Sequence, residues 1–271
     1  MSQARAIDHI GLVARDLREP AATLTALGFR LTPLARHAGG RTGNRCAMLN
    51  GSYLELMSTV DGGESATLDR FLARHTGAHI LSLRIDDEQA AAERLAAAGL
   101  GMIAPSLTDR AVDDADPDGP RARFVLVTPP DIPEGRVHLI RHLTPEAVWQ
   151  PGFLNHPNRV TALAAVVIAS DRPADSAYRL SLRAGRPVRP DPRGGYVLEL
   201  PSGSIRILPP DAAQALLPGV VLPGLPAIVG LMLTTDDGNA ALSALWRGPA
   251  RRQGDALLID AAGVTLCFGG G

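Results

Sequence analysis

Four side chains of metal-ligating type stand out first: His9, Glu55, His79 and His138. His9 and His79 each head an apolar run, "HIGLVARD" and "HILSLRIDD", while Glu55 lies in "SYLELMS" and His138 in "RVHLIRH". Imidazole nitrogens and carboxylate oxygens are the donors that Zn, Ni, Mn, Co or Fe take as divalent ions, and they suit thiolate-seeking ions poorly. All seven histidines lie at or before residue 156, so histidine-based chemistry belongs to that part of the chain. A lone strand histidine is ordinarily structural, and a lone glutamate on an alternating strand ordinarily faces water. The pattern becomes informative only through the frame that holds these residues.

That frame is a repeat. Four segments share one plan, in which an apolar strand ends in Asp or Ser-Asp, an Ala/Leu-rich helix follows and a glycine closes it. "HIGLVARD" leads into a helix with Leu17, Ala21 and Leu24 on one face, stopped at Gly28, and "HILSLRIDD" into one with Ala91 and Leu95, stopped at Gly99. "ALAAVVIASD" precedes "RPADSAYRLSLRA" and Gly185; "VGLMLTTDD" precedes "GNAALSALWR" and Gly248. Aspartate as N-cap and glycine after the last turn are the expected helix punctuation. Short β-like runs follow each helix: "RCAMLN" and "SYLELMS", "ARFVLVT" and "RVHLIRH", "GYVLEL" and "SIRILP", "DALLID" and "VTLCFG". No such unit can bury both its helix and its sheet alone. The expected fold is therefore α+β, with four tandem βαβββ modules paired into two domains of curved mixed sheets. The domains are read as residues 1–146 and 161–271, joined by a proline-bearing linker at 147–160.

Aligned by their helix-starting aspartates, the modules place His9, His79, Ala164 and Val229 at one equivalent position. Glu55, His138, Arg206 and Thr265 share another, in the last strand. The first two modules keep four potential ligands and the last two keep none, so the second domain is read as structural.

This plan resembles the vicinal oxygen chelate superfamily, which includes glyoxalase I, extradiol dioxygenases and bleomycin-resistance proteins. The segment "GFRLTPLARHAGGRTGNRCAMLNGSYLELM" resembles more narrowly the glyoxalase-like domain proteins of that superfamily. The resemblance implies that paired modules bring one residue from each first strand and one from each last strand onto a single divalent ion, here His9, Glu55, His79 and His138. It also implies that Glu55 can leave the ion and act as base in lyase or isomerase chemistry on a small substrate with vicinal oxygens. Pairing of module one with module four would unite His9 and Glu55 with Val229 and Thr265, a poor set, so module one is expected to pair with module two. The orientation of His138 bears on the chemistry. Pointing inward, it completes four ligands and leaves two open positions on an octahedral ion. Pointing away, it leaves His9, His79 and Glu55 as a two-His, one-carboxylate face suited to Fe(II) and extradiol-type dioxygenase chemistry. A non-catalytic small-molecule binding or resistance protein is the further alternative. The chain differs from glyoxalase I-like enzymes, where the fourth position is often glutamate, and from two-domain dioxygenases, which usually hold the metal in the C-terminal domain.

Beside this set, the glycine-rich "RHAGGRTGN" supplies Arg36, His37, Arg41 and Asn44 as candidate substrate contacts, the arginines offering a two-pronged grip on a carboxylate or phosphate. Its glycine spacing fits neither a dinucleotide loop nor a P-loop. His142 shares strand parity with His138; His75 reads as a loop residue; Trp149 either caps a pocket or pins the linker. Cys46 reads as a packed thiol, and the pair of Cys46 and Cys267 suits a reducing cytoplasm. The chain carries no lysine, which excludes Schiff-base chemistry, and its net charge of -1 without charged runs argues against nucleic acid or anionic membrane as partner. The opening "MSQARAIDHI" lacks a signal-peptide core, and Pro223 and Pro226 break the longest apolar region, so a cytoplasmic protein is expected, as monomer or homodimer.

Overall fold

Strands rich in Val, Ile and Leu on both faces form where both sides of a sheet are covered, and this chain covers them with helices. The computed structural model describes residues 2–37 and 39–269. The first module runs β1 (Ala6–Val13), α1 (Arg18–Ala26), β2 (Ala35–Arg36), β3 (Thr42–Leu49) and β4 (Ser52–Thr59). Helix α2 (Ala66–Leu72) leads to the second, β5 (Gly77–Arg84), α3 (Glu88–Ala97), β6 (Ser106–Ala111), β7 (Arg121–Val127) and β8 (Arg136–His142). Helix α4 (Pro145–Val148) and a 3-10 turn (Pro151–Phe153) lead to the third, β9 (Val160–Ala169), α5 (Pro173–Ala184), β10 (Val188–Pro190), β11 (Tyr196–Glu199) and β12 (Ser204–Leu208). Helix α6 (Pro210–Leu216) then precedes β13 (Ala227–Thr235), α7 (Ala240–Leu245), β14 (Arg251–Gln253), β15 (Ala256–Ala261) and β16 (Val264–Phe268).

Two eight-stranded sheets result, ordered β2-β3-β4-β1-β5-β8-β7-β6 and β10-β11-β12-β9-β13-β16-β15-β14. Module one thus pairs with module two, and three with four, through antiparallel seams β1–β5 and β9–β13. Within each module the last strand lies parallel to the first, as β4 does to β1 and β8 to β5. The two sheets share one apolar core. Ile10, Leu12, Leu81 and Leu83 of the first meet Val166, Ile168 and Leu231 of the second, with Leu24, Leu95, Leu180 and Leu242 of the helices filling between. Arg94 reinforces the join by donating to the Leu182 and Arg183 carbonyls at the end of α5, where the helix dipole favours a cation.

Helix punctuation follows the expectation in part. Asp87 caps α3 through Ala90 N–H at 2.9 Å, and Gly28, Gly99 and Gly185 take the left-handed conformation that ends a helix. At α5 the first position belongs to Pro173 instead, after an Arg172 N-cap, because proline's fixed φ suits the first turn. The fourth helix ends at Leu245, three residues before Gly248, as Trp246 turns extended.

Two helices absent from the repeat reading matter most for the cleft. Ser65 caps α2, whose Leu68 and Phe71 pack on Val13 and Ile80 at the inner face of the first sheet. Its counterpart α6 lays Ala212, Ala213 and Leu217 over Val167, Ala169 and Val229 at the matching face of the second. Gly230 permits this close seat, since a Cβ there would stand 2.2 Å from Leu217 Cδ1. The inner face of the second sheet is therefore filled by its own chain. Leu217→Ala is expected to destabilise the protein by about 2–5 kcal/mol, as for other buried leucines, measured by urea unfolding. Loss of ligand binding in the N-terminal cleft of the still-folded variant would contradict the structural role of this half.

Candidate functional site

The inner face of the first sheet gathers imidazoles and a carboxylate where the second carries Val167 and Val229 beside Thr265 and the ion-paired Arg206. Strand parity puts His9, Tyr53, Glu55 and His138 on it: His9 pairs with Tyr53 across β1–β4 and with Ser82 across β1–β5, and Ser82 pairs with His138. The His9 and His138 rings lie 5.6 Å apart, edge to face, and His9 Nε2 approaches Glu55 Oε2 at 3.6 Å. The Tyr53 ring stacks on His9 at 4.5 Å.

Glu55 is buried with its charge supported. Its Oε1 accepts from Asn44 Nδ2 and from His37 Nε2 at 3.3 Å, while Thr42 Oγ stands 2.8 Å from His37 Nδ1. Burial by itself pushes the Glu55 carboxyl up. The hydrogen bonds from His37 and Asn44 and the fields of His9 and His37 outweigh it and hold the group well below the usual carboxylate range. His37 and Asn44 of the glycine-rich loop thus join the cluster around Glu55. Arg36 and Arg41 do not. The Arg36 guanidinium is spent on Asp61 and Asp114 and on the Gly40 carbonyl at 3.3 Å, and Arg41 is exposed at the hairpin. By bonding Asp114, and with Asp114 N–H donating to the Leu34 carbonyl, Arg36 instead ties β2 to the loop after β6, drawing the two ends of the sheet together.

Asp8, unremarked in the sequence reading, organises the floor. The β1–β5 register slips between Ile7 and His9, leaving Asp8 as the extra residue of a bulge. It is fully buried and accepts from His9 Nδ1 at 2.9 Å, His142 Nε2 at 3.1 Å and Arg84 Nε at 2.9 Å. Burial pushes the Asp8 carboxyl up, but the attraction of His142 and the hydrogen bonds from His142 and His9 hold it far below its ordinary value. An ionised carboxylate only accepts, so His9 carries its proton on Nδ1 and, in the neutral ring, presents a lone pair at Nε2 toward Glu55. The signal for Asp8 was present: an acid flanked by Ile7 and His9 in an all-buried strand must find donors. His142 serves Asp8 and does not stand in for His138.

His79 does not join the cluster. The register slips again between Gly11 and Leu12, so that His79 is the unpaired residue between Ala78 and Ile80. Its ring stacks on Phe71 of α2 at 5.0 Å with planes 6° apart, and its Nε2 donates to the His75 carbonyl at 2.8 Å. Its repeat equivalent Val229 is likewise the unpaired residue between Ile228 and Gly230, packed under α6. Among the described residues no three His, Cys, Asp or Glu side chains are arranged to hold a metal ion as they stand. Three of the four expected ligands nevertheless fit one chemically. His9 Nε2 and Glu55 Oε2 face each other as acceptors, and His138 Nε2 is buried without a partner among the described residues. With both rings neutral and Nε2 unprotonated, these three atoms are ligands of the kind a cation takes.

Beside this floor lies a cavity of about 180 Å³ whose wall shares Asn44, Tyr53 and His142 with it. Its apolar lining includes Met48, Phe124, Val148 and Phe153, the last two from the segment between the domains. Trp149 pins that segment: its Nε1 donates to the Leu49 carbonyl at 3.1 Å, and the Arg84 guanidinium lies 4.7 Å over its ring. His156 does the same further on, donating through Nε2 to the Met48 carbonyl at 2.7 Å.

A family model described as a glyoxalase-like domain matches residues 7–182. Among solved structures the chain is similar to a hypothetical protein from Staphylococcus aureus, with TM-score 0.67 and 12% identity over 99% of this chain and 98% of that one. It is similar also to a mutant of 4-hydroxymandelate synthase from Streptomyces coelicolor, with TM-score 0.63 and 15% identity over 99% and 94%. Catechol 2,3-dioxygenase follows with TM-score 0.56 and 14% identity over 99% and 88%. At these identities the likeness is one of fold. No curated protein matches the chain. No helix among the described residues is long and apolar enough to cross a membrane.

Two outcomes are expected of metal-free protein. Asp8→Asn, which removes the ionised acceptor of three donors, should destabilise by about 3–5 kcal/mol in urea unfolding; a change below 1 kcal/mol would remove Asp8 from its organising role. Burial, with the nearby His9 charge, pushes the His138 imidazole down to about 3. Below roughly pH 6.5 the unfolded chain takes up a proton that the folded one refuses, so stability falls with pH by about 1.4 kcal/mol per unit for this group. His138→Gln should flatten the measured slope between pH 6 and 4 by about one proton; an unchanged slope would contradict the burial.

Proposed function

The chain belongs to the glyoxalase-like domain family of the vicinal oxygen chelate superfamily, and on that premise we propose that it is a metal-dependent enzyme whose N-terminal cleft takes a small substrate with neighbouring oxygens. The observation that carries this reading is the gathering of three acceptors, His9 Nε2, Glu55 Oε2 and the orphaned His138 Nε2, on one buried floor. These side chains would hold a divalent ion of the Zn, Ni, Mn, Co or Fe class. Such an ion polarises substrate oxygens and stabilises negative charge developing on them.

The rest is the work of the chain's own residues. Asp8 holds His9 in the tautomer that turns its lone pair inward, and Tyr53 fixes the ring from one face. Asn44 and His37 occupy Glu55 Oε1 and leave Oε2 free. Val148 and Phe153 cover the cavity and thin the water around the floor. Glu55 Oε2, left free by Asn44 and His37, would serve as ligand, and as base on leaving the ion. Two imidazoles and one carboxylate form the donor set associated with oxygen-activating Fe(II) sites. Dioxygenase chemistry therefore stands ahead of the lyase or isomerase chemistry that four ligands would favour. The capture of His79 under α2 favours a second reading, a cleft that binds small molecules without catalysis.

The test is metal uptake by chelator-stripped protein, titrated with Mn(II), Zn(II) and, anaerobically, Fe(II). About one ion per chain is expected, abolished in His138→Ala and Glu55→Gln and retained in His79→Ala, with circular dichroism confirming that each variant folds. No uptake by the parent protein leaves only the binding reading. Uptake lost as fully in His79→Ala as in His138→Ala would overturn the three-residue set.

A further inference from the structure

The arginine that faces the cavity is one that neither the repeat nor the glycine-rich loop points to. Arg110 lies on β6, opposite Ala122 of β7, and its side chain lines the cavity together with Cys46 and Tyr53. Its guanidinium makes one hydrogen bond, from Nη1 to the Ala111 carbonyl at 3.2 Å. Its Nε is buried without a partner, and no carboxylate among the described residues lies within ion-pairing distance of it. The neighbouring arginines are all engaged: Arg36 by Asp61 and Asp114, and Arg121 and Arg123 by Asp109 on the other face of the same strand pair. Arg110 therefore holds a charge and unfilled donors in a wall of mixed apolar and polar groups, a state that a planar anion relieves with two parallel hydrogen bonds.

We propose that Arg110 is the anchor for a carboxylate on the ligand of this cleft, and that the ligand is a monocyclic aromatic acid. This deepens the reading of the N-terminal cleft as a small-molecule site and rests on it. Size supports one ring: the cavity of about 180 Å³ is close to that of an engineered protein cavity of roughly 150 Å³ that accepts benzene. Composition supports an aromatic body, since Phe124, Phe153, Met48 and Val148 line it while Arg110 supplies the cation. Asp113 and Asp116 also line the cavity. Asp113 Oδ1 accepts from Ala115 N–H at 2.9 Å and Asp116 is exposed, and among the described residues neither forms an ion pair with the Arg110 guanidinium.

The experiment compares benzoate and phenylacetate with the neutral benzamide and the cationic benzylamine by calorimetry and by amide chemical-shift perturbation on the full chain, metal-free and metal-loaded. The acids are expected to bind at least about tenfold more tightly than benzamide. Arg110→Gln should lose about 10- to 100-fold in acid affinity and leave benzamide unchanged. Arg110→Lys, which keeps the charge without the fork, should fall between, and amide spectra of both variants report whether they fold. Equal binding of acid and amide, both indifferent to Arg110→Gln, would leave the cleft as a small-molecule site and overturn the anchor. Preference for benzylamine would assign the cavity's polarity to Asp113 and Asp116 and overturn it too. Absence of all aryl binding from a protein that takes up metal through His138 would overturn the inference while the metal reading stands.

Discussion

The seam between β1 and β5 slips out of register twice, and those two slips decide which side chains meet. At the first, Asp8 becomes the extra residue and turns a carboxylate into the interior; at the second, His79 becomes the extra residue and is carried to α2. A bulge re-aims one side chain without moving the strand that bears it. Had both residues stayed in step, Asp8 would face away from His9 and His79 would follow plain strand alternation. The slips produce instead a floor on which one buried anion orients two imidazoles, and from which a third imidazole is withdrawn.

The buried charge at Asp8 organises everything above it. Three donors from β1, β5 and β8 converge on one carboxylate, so the relative placement of three strands is tied to the orientation of His9 and His142. Arg84 extends the network outward, lying over Trp149 and donating to the Gly51 carbonyl at 2.6 Å. The segment between the domains is thereby connected to the floor of the cleft it covers. Within this network His142 Nδ1 stays unpartnered among the described residues, and beside it so does His138 Nε2.

The two sheets use one plan to opposite ends. Each inserts a short helix between its modules, and each helix settles on the inner face of its own sheet. In the second, α6 packs on Val167, Ala169 and Val229, beside Arg206 and Thr265 of the same face. In the first, α2 meets Val13, Ile80 and His79 and covers only one side, because the polar cluster around Glu55 offers it no apolar seat. The other side is roofed by Val148 and Phe153, leaving the cavity between. A shared core of leucines and isoleucines locks the halves together, so the filled domain stiffens the open one.

Much of this was legible along the chain. The period of apolar residues and the aspartate and glycine signals yielded four modules, and the retention of His9, Glu55, His79 and His138 in the first two implied which modules pair. Repeat equivalence put His9, Glu55 and His138 at matching places in the first two modules, and the resemblance implied that they meet. The fates of His79, Arg36 and Arg110 could not be placed this way. Each depends on what the residue meets from elsewhere: a bulge that belongs to a strand pair, a helix returning over the sheet, acids from another module. Alternation along one strand records which face a side chain starts on. Only the packed tertiary structure settles the neighbour it finds there, since a ring can be captured and a charge neutralised by residues far away in sequence.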